Sequence, residues 1–446
     1  MVNSKTIKFY TSTNLNAPQL LNSSGSLLTL LDSCLVNGLS LPPVASLTAA
    51  GLKATITFTV AHNLMKHQIV SVSGANQPEF NGDFKISSIV SDLIVEYSIS
   101  AIPSNSVVTS AVTCTLTPLN FEKTFSKATP LGGGRAAFRS KDISLSNRPF
   151  LRIIDERVSS YNNTYAKYAK VGIVENMTDI DTMSGVQAPY LSSAASRNWT
   201  STGSGATVKN GWAKWYYYTY GENYSDATDL STFDNVSGPW FIIGNGSSFY
   251  LLTTVSNDIY LPTEDQKRSF FYGFGSFETI ADDDLFTHFL LATNIWESAE
   301  SISYRAESYT SSVVVGSSDS SYIAPGRSVF LQRGYKKSAH AIATCSKVSL
   351  NYSSTVSGGL DQYTADPSTI GGVVLQTPLI FELTSTSKFL PRGFLPIVKT
   401  IPHQALFLDL QIIEQTSRVF LAKKVYGTSG LPDGVVLFDL GETSGY

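Results

Sequence analysis

The chain predicts a mainly β protein: a small inserted β-barrel, a larger β-sandwich or jelly-roll body, and one short N-terminal helix. Three observations carry that expectation. Short stretches alternate apolar and polar residues, most clearly at 54–60 (ATITFTV), where Ile56, Phe58 and Val60 share one face and Thr55, Thr57 and Thr59 the other. Turn formers separate such stretches, among them Gly74-Ala75-Asn76-Gln77-Pro78 and Asn81-Gly82. The chain is also poor in charge (15%) and rich in Phe (24) and Tyr (22), with no helices alternating with the strands, which argues against a parallel α/β sheet.

Taken in order, residues 1–42 form an N-terminal unit with a strand at 6–10 and a helix over 27–36. Leu27, Leu28, Leu31 and Leu35 recur at helical spacing, Ser26 is the expected N-cap, and Asn37-Gly38 the C-cap. Pro42-Pro43 forces an extended linker. Residues 43–118 form the barrel, with strands at 54–60, 68–73, 84–90, 93–99 and 107–117. The helix precedes the barrel and a new β body follows it, so the barrel reads as an insertion, and 1–42 should pack with the main body.

That body spans 119–300. Its strands are expected at 121–125, 136–139, 150–155, 170–174, 212–220, 240–243, 248–255, 270–277 and 286–292, with a short helical segment near 175–182. Gly132-Gly133-Gly134 reads as a flexible loop, and 192–210 as a long polar loop. A C-terminal β unit covers 301–446, with strands at 304–315, 328–331, 379–383, 395–400, 406–413, 418–425 and 435–440, interrupted by a polar loop at 353–370. No internal repeat marks a solenoid or propeller.

The 446 residues suit two to four domains and carry a net charge of −3. No Lys/Arg run supports nucleic-acid binding through phosphate neutralisation. Lys336-Lys337 and Lys423-Lys424 read as solvated strand ends. No stretch approaches the roughly 20 apolar residues of a membrane span, and the opening Met1-Val2-Asn3-Ser4-Lys5 lacks the apolar core of a secretory signal. Cys34, Cys114 and Cys345 are widely spaced and odd in number, as expected of buried thiols from a reducing compartment.

Chemistry-bearing patterns are scarce. Gly203-Ser204-Gly205 lacks the strand-to-helix context of a nucleophile elbow. His62, His67, His288, His340 and His403 are scattered without zinc spacing. Asp282-Asp283-Asp284, with Glu278 nearby, offers oxygen ligands of the kind Ca²⁺ takes, but its register does not match a calcium loop and it reads as a solvated turn. No carboxylate pair stands out for glycoside hydrolysis. No catalytic residue, cofactor or metal site is therefore expected, and the chain is not read as an enzyme.

The residues singled out are aromatic: Trp212, Trp215, Tyr217, Tyr218 and Tyr220, in the run WAKWYYYTY. Alternation puts Trp215 and Tyr217 on one face, and Tyr216, Tyr218 and Tyr220 on the other. Such a strand is either buried between two layers or presents an aromatic face that stacks on sugars or fills a partner's pocket.

Several blocks match a known pattern. The opening KFYTSTNLNAPQLLNSSGSLLTLLDSCLVNG contains an Ala-Pro-x-Leu segment leading into a Gly-Ser-Leu-x-x-Leu-Leu-Asp-x-Cys-Leu-Val-Asn-Gly helix over 25–38. In the barrel His62-Asn63-Leu64, 70–74 and Phe80-Asn81-Gly82-Asp83-Phe84, then Phe121-Glu122-Lys123-Thr124-Phe125, Phe138-Arg139-Ser140, Leu151-Arg152-Ile153, Glu175-Asn176-Met177-Thr178-Asp179, Leu390-Pro391-Arg392-Gly393-Phe394-Leu395-Pro396 and 435–440 continue it. The chain in these segments resembles a family of tailed-bacteriophage virion structural proteins, departing from it at 441–446, where a more apolar tail is usual. The resemblance implies a tail, baseplate or neck component of the virion, assembled in the bacterial cytoplasm. Its expected partners are other virion proteins and further copies of itself in a ring, with no nucleic acid or membrane. The alternative is a tail-tip protein that binds a receptor or host surface glycan.

Overall fold

The computed structural model describes residues 6–157, 168–202, 209–217, 237–255, 268–294, 329–339, 341–346, 369–370, 373–375, 377–383, 389–400, 407–425 and 434–442. The protein is mainly β, every strand pairing among the described residues is antiparallel, and one short helix lies near the N-terminus. The strand expected at 304–315 and the loop at 353–368 lie outside the described residues.

Three sheets stack. The middle one has ten strands, running in space from Lys8–Thr11 through Trp240–Gly244, Ser248–Val255 and Arg268–Ser276 to Phe389–Phe394 and Glu278–Thr279. Its strands read as unbroken apolar runs, WFII and FYLL among them, because both faces are covered. Ile242, Phe249, Leu251 and Phe274 face one layer. Phe241, Ile243, Tyr250 and Phe271 face the other, since successive strand residues point to opposite sides.

On the first side lies a seven-stranded sheet containing Phe121–Ala128, Gly133–Ser140, Phe150–Glu156, Tyr168–Met177 and Ala213–Tyr216. Its Phe121, Phe138, Leu151, Ile153, Val171 and Trp215 close the larger core. On the second side, Val398–Thr400, Gly434–Glu442, Arg418–Val425 and Ile412–Glu414 form a four-stranded sheet. It packs Val398, Val419, Leu421, Val436 and Phe438 against the middle layer.

The small module is an open half-barrel. Its seven strands run in the order Leu39–Ser40, Thr113–Leu116, Ile69–Ser73, Gly82–Ser91, Ile94–Ser98, Lys53–Phe58, Val44–Ala50. Ile56 and Phe58 are buried as alternation requires, whereas Val60 is exposed because the strand ends at Phe58. The stretch 107–112 joins no ladder as a strand; only a single bridge, Thr48 to Val107, ties it to the far edge. The interior of the module is continuous with the main core. Gln68, fully buried, donates to the Phe9 carbonyl and the Asn14 side chain, and the Tyr10 hydroxyl donates to the Thr117 carbonyl. On another side, the His67 ring and Lys66 both meet Glu414 at 2.6 Å.

The helix ends as expected, with Gly38 as its cap at φ 78°, but differs at its start and in its second half. It is α-helical over Ser26–Leu31 and widens into a π-helical turn over Asp32–Asn37. Ser26 is its first residue rather than its cap; its hydroxyl accepts from the Leu21 N–H and donates to the Gln19 carbonyl. The cap position belongs to Gly25, at φ 92°. The apolar face (Leu27, Leu30, Leu31, Cys34, Leu35) enters the core, and Lys123 pins the π turn through Asp32 at 2.6 Å.

Gly133 is not part of a flexible loop. It begins the strand Gly133–Ser140 at φ 72°, and a Cβ there would lie 2.0 Å from the Asp155 carbonyl and 2.9 Å from the Gly25 nitrogen. Only glycine permits this approach of helix start to strand. Gly133→Ala should therefore destabilise the protein by about 2–4 kcal/mol, combining left-handed strain with a backbone clash. A urea titration that finds the variant as stable as the parent would contradict this.

Two further expectations change. Residues 175–182 are not helical: Glu175–Met177 end a ten-residue strand and a turn follows. The described part of 192–210 is packed rather than loose. Asn198 is buried, donating to the Val171 carbonyl and accepting from the Trp212 and Ala213 N–H groups.

Candidate functional site

The aromatic run comes first. Trp215 is fully buried between the seven- and ten-stranded layers, stacked on Tyr272 (5.9 Å, 20°) and edge-on to Phe249, with its indole N–H donating to the Leu291 carbonyl at 2.8 Å. Tyr217 is 1% exposed and Trp212 4%. None of these three offers an open stacking surface. Tyr218 and Tyr220 lie outside the described residues. The strand is the buried-layer alternative, with aromatics chosen for β-propensity and volume.

Tyr217 leads to the first buried polar centre. Its hydroxyl donates to Asp155, a carboxylate with no solvent exposure whose other oxygen accepts from the Leu28 N–H at 3.1 Å. Asp155 thus satisfies the open N–H groups at the start of the helix. Burial pushes its carboxyl above the usual range, against the opposing pull of these hydrogen bonds, and burial likewise raises the Tyr217 phenol.

A second centre joins the layers near the edge of the ten-stranded sheet. Arg392, 1% exposed, makes a bidentate pair with Asp284 (2.8 and 3.0 Å) and a third bond to Glu382 at 2.5 Å. Glu382 also accepts from the Tyr335 N–H and from Lys337. Arg333, whose carbonyl accepts from Arg392, reaches across to the seven-stranded sheet and grips Glu175 through two bonds of 2.9 and 2.7 Å. Asp282-Asp283-Asp284 is therefore not a uniformly solvated turn. Asp283 pairs with Lys336 and Tyr335, and Asp284 is buried. Lys423, expected at a solvated strand end, is buried and bound to Asp409 at 2.6 Å. Among the described residues no three His, Cys, Asp or Glu side chains are grouped to hold a metal ion.

His288 begins the strand His288–Leu291 and is 1% exposed, with its Nδ1 lacking a hydrogen-bond partner. Burial holds its pKa down to about 3. The unfolded chain takes up a proton near pH 6.5 that the folded chain refuses, so this group's share of stability falls as pH drops from about 6.5 toward 3. Between pH 7 and pH 5 the loss should reach about 2 kcal/mol. His288→Leu should remove that share of the slope; identical slopes in urea titrations of variant and parent would refute it.

On the outer face of the seven-stranded sheet, Arg152 lies under Trp199 (4.6 Å to the ring) and Lys170 donates to the Trp199 carbonyl at 2.9 Å. Burial lowers the Lys170 pKa to about 7. Both are covered by the packed 192–202 segment.

A broad concavity with mixed chemistry, a groove of about 1010 Å³, lies between the ten-stranded and C-terminal sheets. Phe277, Leu395 and Phe420 are buried apolar lining residues, while Glu278, Gln415, Ser417 and Arg418 stand exposed around them. Its charged lining residues are two acids, Glu278 and Asp439, and two bases, Lys399 and Arg418. Arg418 and Asp439 pair at 2.6 Å, and Asp439 also accepts from the Gly441 N–H, which orients the half-exposed guanidinium. The Lys399 amine rests on the Thr377 hydroxyl at 2.7 Å.

No family model matches the chain, and no curated protein does. Among solved structures it is similar to the phage phi92 endosialidase, at 11% identity and a TM-score of 0.13, over 91% of this chain and 52% of that one. The chain thus spans about half the length of that protein. A likeness of this size supports no argument about activity.

Neither the groove nor the two buried centres were singled out as sites from sequence, although Tyr217, Asp284 and Glu278 were each noted in another pattern. Their signal is a charged residue inside an apolar strand run: Arg392 in FLPRGFL, Glu382 in LIFEL, Asp155 in LRIID. The groove has no such mark, because its lining comes from segments hundreds of residues apart.

Proposed function

We propose that this protein is a structural component of a tailed-phage particle, in the tail, baseplate or neck, acting through contacts with other virion proteins and with its own copies in a ring. On this reading it carries out no catalysis, and it resides in the virion after assembly in the host cytoplasm. The observation that carries the reading is where the family-like segments sit. The 25–38 helix docks by its start on Asp155 and by its flank on Lys123 of the Phe121 block. Glu175 of the Glu175–Asp179 block and Arg392 of the Leu390–Pro396 block are joined through Arg333. The resembling residues thus serve to lock sheets together, as a load-transmitting part requires, and of their charged members Asp439 lines the groove, paired there with Arg418. Exposed apolar side chains on the half-barrel, such as Val60, Val90 and Ile102, give that module surface for a neighbouring protein.

The test is mass spectrometry of gradient-purified particles. The chain should be present in several copies per particle and stay associated through high-salt washing. Its absence from intact particles would overturn the proposal.

A further inference from the structure

We infer that the groove between the ten-stranded and C-terminal sheets is a binding site for a segment of uncharged oligosaccharide. This goes beyond the structural role proposed above and does not depend on it.

Three features point to that ligand class. The first is size: about 1010 Å³ lies at the upper end of the range for small-molecule clefts, room for several linked rings rather than one. The second is charge. With Glu278 and Asp439 set against Lys399 and Arg418, the charged lining is balanced, so the groove has no net field to favour a polyanion or a polycation. The third is the pairing of apolar surface with fixed polar groups. A sugar ring presents C–H faces and a rim of hydroxyls, each both donor and acceptor. The groove supplies apolar surface from the half-buried Ile7, Leu145, Leu375 and Ile397, and polar groups from Gln415, Lys399 and Arg418. Arg418 is held in place by Asp439 and Lys399 by Thr377, so both cations are oriented before a ligand arrives. The aromatic strand at 212–217 offers none of this, being buried.

The experiment uses the full chain on an array of defined neutral and acidic oligosaccharides, with extended peptides as a further arm, followed by titration of the best ligand. Binding should be confined to neutral glycans. Gln415→Ala and Lys399→Ala should each weaken it at least tenfold, while Lys53→Ala on the half-barrel leaves it unchanged. Gln415 lies in an exposed hairpin loop, so its truncation leaves the fold intact, and thermal unfolding of each variant verifies this. Binding to no glycan, selection of acidic glycans or peptides instead, or binding indifferent to both groove variants would each overturn the inference. Particle mass spectrometry reads the structural proposal separately, so the two can fail independently.

Discussion

Arg392→Ala should lower the unfolding free energy by about 3–5 kcal/mol, the usual cost of removing one member of a buried ion network. The guanidinium offsets two carboxylates, Asp284 and Glu382, that are themselves almost fully buried. Once it is gone, Lys337 remains near Glu382 at 3.3 Å, half-exposed and poorly placed, and Asp284 keeps no cation within reach among the described residues. The two acids are then left buried without the charge that lay between them. Urea titrations of parent and variant at pH 7.5 check the loss, and a deficit under about 1 kcal/mol would refute it. A triple change of Arg392, Asp284 and Glu382 to apolar residues should cost less than Arg392→Ala alone, because no charge is left buried.

Asp155→Ala should cost about 3–4 kcal/mol. Its side chain serves the helix start and the Tyr217 hydroxyl in a site without water access, and each donor left unsatisfied costs about 1–3 kcal/mol. Tyr217→Phe removes a single donor and should cost about 1–2 kcal/mol. In the double variant the two losses should fall short of their sum, since Tyr217 has already lost its acceptor in Asp155→Ala. Strict additivity in chemical denaturation would mean that the two groups do not act as a unit.

Much of the fold was legible in the sequence because strand signals are local. Alternation located Lys53–Phe58, and the unbroken apolar runs located Trp240–Gly244 and Ser248–Val255. Local signals failed where tertiary contact decided. Ser26 has the chemistry of a cap, yet a carboxylate from a strand more than a hundred residues away took the helix start, leaving the serine to tie the preceding turn. The three glycines at 132–134 read as slack, whereas close approach to Gly25 requires one of them. The polar centres were the least legible, since Arg392 meets Asp284 across 108 residues and Glu175 meets Arg333 across 158. A charged side chain in an apolar strand can be noticed, but its partner cannot be named from pattern alone.

The ten-stranded sheet also sets an order of events during synthesis. Its edge strand Lys8–Thr11 pairs only with Trp240–Gly244, more than 200 residues later in the chain. At typical translation rates of about 5–20 residues per second, that partner emerges roughly 10–50 s after the first strand. In that interval the half-barrel and much of the seven-stranded sheet already have their sequence available, whereas the pairing of Phe9 with Ile243 and of Tyr10 with Ile242 must wait. Closing that long loop sets one edge of the middle layer, and the strands from Arg268–Ser276 to Phe389–Phe394, made later still, extend it to the other.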